Sequence, residues 1–298
     1  GPSLYLLETN LRLNKMFHHY KPPNPKNTVF EEYKDKHLGE RVFIIANGPS
    51  LSETNLNLLK DETTIAMNRV SLIYPKNPDW RPTYYLFSST NVRHPDWGQA
   101  WTESVRSAIS EKRTTSFIAQ MFKPTIDPNN EYPQVGWFES MSEQKPAMSG
   151  DISPNSFSTD IVERIDKSGT TMNLALQLVY HMGFEEIIIV GADLGWSGDR
   201  GSKSDPNHFD KSYRADIPPE KVYKINHQMR NVHSLAYKNF HENKEKIKFY
   251  NASLKTCLDI YPIIDYEKYV LEGKVEVLNN RLEESKKFWD KPPQFEVK

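Results

Sequence analysis

Two short stretches of small residues could carry chemistry in this chain, Asn47-Gly48-Pro49-Ser50 and Ser168-Gly169-Thr170-Thr171. The first ends the apolar run Arg41–Ala46, which reads as a buried strand and a tight turn. In an open α/β sheet, ligands sit beyond the carboxyl ends of the strands. A glycine there lets the backbone approach a phosphate, and the start of a helix offers free N–H donors. Asn47 adds a side-chain amide for a ribose or a base. The second stretch repeats this arrangement, with the hydroxyls of Ser168 and Thr170 as further donors. Both also have ordinary uses, since Asn-Gly-Pro-Ser makes good turns and Ser or Thr caps helices. The first stretch fits neither the phosphate-binding P-loop pattern nor G-x-G-x-x-G.

Asp193 ends the most apolar strand, where a carboxylate could hold a ribose hydroxyl or cap a turn. Among nine histidines, three stand in contexts that suit a general base. His208 lies in the polar segment Asp205-Pro206-Asn207-His208-Phe209, while His227 and His233 lie on a long helical pattern. His18, His19, His37, His94 and His241 read as surface residues and His181 as structural. No Asp-x-Asp triplet occurs, which leans toward chemistry without a bound metal.

These residues need elements to position them. Apolar runs predict strands at Arg41–Ala46, Thr63–Met67, Thr83–Phe87, Ser116–Ala119, Glu186–Val190 and Ile247–Tyr250. Ser52 and Glu53 before Leu56, Leu58 and Leu59 suggest a capped short helix. Apolar residues every four positions mark a helix over Trp97–Ile109. A second helix runs through Leu174, Leu178 and His181 to Gly183, and a third covers Lys221–Asn243. Strands alternating with helices imply right-handed crossovers and a mostly parallel sheet covered on both faces, an α/β fold. Residues 1–40 read as an N-terminal arm with a helix near Leu4–Phe17, and Gly1-Pro2-Ser3 as a tag-cleavage scar. The aperiodic stretch Lys123–Ser158 reads as a long loop or flap. A lid is expected at about 195–220, within a catalytic domain spanning 41–270. Residues 271–298 form a charged tail, a helix followed by disorder.

Thirty-eight basic and 39 acidic residues leave a net charge of −1 without a long basic run, so no nucleic-acid partner is expected. The lone Cys257 allows no intramolecular disulfide and suits the cytoplasm. No apolar run reaches the roughly 18 residues that suggest a membrane span; peripheral membrane contact stays open.

The segments Ile44–Leu51, Met67-Asn68-Arg69, Lys167–Thr170, Val190–Asp193 and Asp205–Phe209 resemble those of the motility-accessory-factor and 6-hydroxymethylpterin diphosphokinase-like family. Their order is similar to that of the bacterial CMP-sialic acid sialyltransferases of glycosyltransferase family 42. The likeness covers about residues 41–262 and is sharpest at the first loop and from Ser168 to Asp193. It implies a Rossmann-like core with a small lid. It also implies nucleotide contacts from Asn47, Gly48, Asn68, Ser168 and Gly169, with Pro49, Ser50, Thr170 and Asp193 beside them. Where the sialyltransferases have a third asparagine, Ser88 and Ser89 stand here. The resemblance puts the catalytic base nearest His227, with His208 competing through the pterin-type relatives. The expected activity is a metal-independent glycosyl transfer of a sialic-acid-like sugar from a CMP donor to a glycan or protein hydroxyl, with no cofactor. The alternatives are a pterin-type diphosphotransferase using ATP and Mg²⁺, and a non-catalytic nucleotide-binding protein.

Overall fold

The computed structural model describes residues 25–142, 150–198, 204–215 and 217–290. Seven strands form one parallel sheet: β1 (Arg41–Ile45), β2 (Thr64–Met67), β3 (Tyr84–Phe87), β4 (Thr115–Ala119), β5 (Gly136–Phe138), β8 (Glu186–Val190) and β9 (Lys248–Asn251). A separate two-stranded ribbon joins β6 (Ser140–Met141) to β7 (Ile165–Asp166). Side chains alternate between the faces of a strand, so a run of consecutive buried residues requires cover on both. Val42–Ile45 and Ile187–Val190 are all fully buried. Helices α1 (Gly98–Ile109), α2 (Thr171–Met182) and α3 (Val222–Asn243) supply much of that cover. Every residue of α2 is buried, as expected of a helix placed between the sheet and α3. Gly183 ends α2 at φ +84°, the left-handed closure read from the sequence.

The strand order is β5-β4-β3-β2-β1-β8-β9. From β1 the chain steps outward to β5, then returns to β8 on the other side of β1. Strand direction stays constant while the order reverses, which opens a crevice beyond the carboxyl ends of β1 and β8.

Several expectations change. The capped short helix expected from Ser52 through Leu59 is instead split between two 3-10 turns, Pro49–Glu53 and Leu56–Leu59. Ser52 Oγ donates back to Pro49 O, and the following turn, Leu56–Leu59, takes its cap from Asn55. The stretch Lys123–Ser158 is not all loop: it holds a helical turn, Lys123–Ile126, and the edge strand β5. Residues 27–40 are not a detached arm. Phe30 is fully buried against Phe117 and Phe138, and the Asn27 amide donates to Glu139 O and Ile161 O. Leu271 lies inside helix α4 (Tyr266–Glu272), so the expected boundary at 270 falls within an element; α5 (Asn279–Trp289) follows. The expected helix near Leu4–Phe17, the cleavage scar, residues 199–203 and 216 of the lid and the last eight residues lie outside the described residues. No described helix is long and apolar enough to cross a membrane.

Candidate functional site

Two hollows meet at the crevice. A recess of about 100 Å³ lies between the loops after β1, β2 and β8, and a larger cleft of about 520 Å³ opens beside it. Asn68, Thr170, Trp196, His208, Tyr213 and Met229 line both and form the shared wall.

The β1 loop is pinned to the β8 loop. Gly48 N–H donates to Gly191 O at 2.8 Å. A Cβ at Gly48 would stand 2.6 Å from that oxygen and 2.7 Å from Asp193 Cγ, so the approach needs a residue without a side chain. Ser50 then uses its N–H and its hydroxyl on the two oxygens of Asp193, at 2.6 and 2.5 Å. Burial pushes the Asp193 carboxyl up while these bonds pull it back, with a net rise. Ser50 and Asp193 therefore brace the first turn; Pro49 and Ser50 line neither hollow, whereas Asp193 also borders the recess. Asn47 is different. Its Nδ2 donates to Met67 O at 3.2 Å, but its Oδ1 is buried without a protein partner and the residue lines the recess. A buried carbonyl oxygen without a donor costs free energy that a ligand N–H or O–H would recover.

Asn68 closes β2 in the left-handed region at φ +54°, which is uncommon outside glycine but most accessible to asparagine and aspartate. Tyr85 OH donates to its backbone oxygen, and Thr171 Oγ1 to its side-chain oxygen. This fixes the Asn68 amide on the shared wall. Gly169, at φ +83°, packs close to Val232, and Thr170 caps α2 by accepting from Met172 N–H. Ser168 points elsewhere: it is buried, its N–H donates to Asp166, and its hydroxyl pairs with that of Ser142. It lines neither hollow, so its expected nucleotide contact is replaced by a loop-holding role. Ser89 lines the cleft while accepting from the backbone and side-chain nitrogens of Asn91.

His208 faces both hollows. Its Nδ1 lies 2.9 and 3.0 Å from the oxygens of Asp205, its ring stacks on Tyr213 at 3.8 Å, and Trp196 packs edge-on. Burial would raise the Asp205 carboxyl, but bonds from His208 and from the N–H groups of Asn207 and Ala215 outweigh it and hold the group below the usual range. An ionised carboxylate at Nδ1 selects the tautomer with the proton there, leaving the Nε2 lone pair as acceptor. His227 sits outside both hollows, stacked on Tyr223 and edge-on to Trp289 of α5, with Nδ1 donating to Tyr223 O. Of the two histidines expected as candidates for a base, His208 borders the hollows and His227 does not. His233 reaches the recess, but burial drives its pKa down to about 3 and Nδ1 is engaged by Tyr261 OH.

The lid is bolted down. Phe209 N–H donates to Asn47 O, and the buried guanidinium of Arg69 donates to the backbone oxygens of Ser212 and Tyr213. Trp101 Nε1 holds Arg214 O. Arg69, Tyr213 and Lys167, which lines the cleft, had no site role in the sequence reading. An arginine following Asn68 was the only signal for the clamp, and the lid carbonyls it meets lie more than 140 residues away.

Compared with models of known protein families the chain matches none, and a search of curated proteins likewise finds no match.

Proposed function

We propose that the protein is a glycosyltransferase that moves a sialic-acid-like sugar from a CMP donor to a hydroxyl of a glycan or protein. The observation that carries the reading is the buried His208–Asp205 pair facing a cleft whose described lining contains a lysine and no carboxylate. Such a cleft favours an anionic ligand, and the pair supplies a base beside it. The unmet Asn47 Oδ1 in the adjoining recess adds a place for an amino group of a base or a ribose hydroxyl.

In this mechanism the acceptor O–H gives its proton to His208 Nε2 as its oxygen bonds to the anomeric carbon. The bond from that carbon to the donor phosphate breaks, and its electrons pass to the phosphate oxygen. The Thr170 hydroxyl and the N-terminus of α2 donate toward the departing phosphate. Asp205 keeps the imidazolium oriented and neutralised. The lone Cys257 suits a cytoplasmic enzyme.

A diphosphotransferase would bring ATP with Mg²⁺, which takes oxygen ligands and usually carboxylates. Among the described residues lining the two hollows the one carboxylate is Asp193, whose oxygens both accept from Ser50. Thermal-shift titrations with CMP, CDP, UDP, GDP and ATP, with and without Mg²⁺, test the proposal. CMP is expected to stabilise the protein without metal. Stabilisation by ATP only with Mg²⁺ would replace the glycosyltransferase with the diphosphotransferase.

A further inference from the structure

The proposed reaction counts Lys167 only as part of the charge of the cleft and gives it no contact of its own. This side chain follows β7, is half-buried, and lines the large cleft but not the recess. Its Nζ has one described contact within hydrogen-bonding reach, the thioether of Met121 at 3.5 Å. A thioether is a weak acceptor, so this exposed contact leaves the ammonium's donors to solvent or to a ligand in the cleft. Here the described cleft wall provides no carboxylate, and the same wall carries the hydroxyl of Thr170, whose oxygen accepts from Met172 N–H and whose proton no described bond uses. Thr170 lines both hollows, whereas Asn47 borders only the recess and Lys167 only the cleft. A ligand that places a base or ribose at Asn47 and passes Thr170 therefore presents a further group to Lys167.

We infer that Lys167 is a specificity-determining residue that reads an oxyanion of the ligand in the larger cleft. The inference rests on the proposed nucleotide-sugar reading for the identity of that oxyanion. Two groups carry the required chemistry, the donor phosphate and the carboxylate of an acidic sugar. Either way a cationic group at this position selects against ligands that lack the anion.

The experiment compares wild type, Lys167→Gln and Lys167→Arg by isothermal titration at constant ionic strength. The probes are inorganic phosphate, cytidine, CMP and CMP-sialic acid. Wild type is expected to bind inorganic phosphate, Lys167→Gln to bind it about tenfold more weakly, and Lys167→Arg to recover most of the loss. A tenfold loss that appears already with CMP assigns the phosphate. A loss confined to CMP-sialic acid, with CMP unchanged, assigns the carboxylate and replaces the expected weakening with inorganic phosphate. Equal binding of every probe by wild type and Lys167→Gln overturns the inference, as does a wild type that binds none of the anions. Lysine-dependent binding of phosphate without binding of any cytidine compound keeps the anion site and removes the nucleotide reading, so the two fail separately.

Discussion

At the scale of single residues, His208 and Asp205 divide one task. If His208 is the base, His208→Ala lowers kcat of the proposed transfer by about 10²- to 10⁴-fold. Asp205→Asn gives a loss in the same range, because an amide no longer enforces the Nδ1–H tautomer. His227→Ala, which alters a ring stacked outside the cleft, should leave kcat within about threefold. A large kcat loss in the His227 variant with an active His208 variant would reverse the assignment. The Asp205–His208 spacing was legible in the chain, three residues apart in one segment. The role of Asp193 was not, because its partner Ser50 is 143 residues away and nothing local announces the bond. Ser50→Ala leaves one buried carboxylate oxygen without a donor, at a cost of about 1–3 kcal/mol read as a lower urea midpoint.

At the scale of elements, the strands were readable where apolar runs are long and central, as in β1 and β8. The edge strand β5 was hidden because it has three residues, begins with Gly136 and is only partly buried. The first crossover failed as a helix for a different reason. Gly48-Pro49-Ser50 must turn tightly under Gly191 and Asp193, and a 3-10 turn meets that constraint. Segment 204–215 was legible as part of a polar stretch, but its anchoring was not. Arg69→Met removes the donors to Ser212 and Tyr213, so limited proteolysis within 204–215 should accelerate and KM should rise. Unchanged cleavage would mean that Trp101 and Phe209 suffice to hold it.

At the scale of the whole molecule, the α/β layering followed from the alternation of apolar runs and helical spacings, and the reversal of strand order at β1 places the crevice. The buried histidines shape its response to acid. Burial drives the His233 pKa down to about 3 and lowers that of His181. An unfolded imidazole titrates near 6.5. Below that value the unfolded chain takes up protons that the folded chain refuses. The stability tied to these residues is whole above pH ~6.5 and is lost as pH falls toward the lower folded values. Between pH 6 and 4 His233 adds roughly 1 kcal/mol of lost stability per pH unit, and His181 acts in the same direction. Urea unfolding of His233→Gln should therefore show a shallower acid limb than wild type; parallel limbs would reject the assignment. The contact of Gly48 with Gly191 and Asp193 also limits how this molecule can diversify. A methyl group at residue 48 strikes backbone as well as side chain, so shortening Asp193 alone cannot make room for it. Any descendant that abandons this glycine must rebuild both loops together, which makes the corner between β1 and β8 an inherited unit, exchanged whole or not at all.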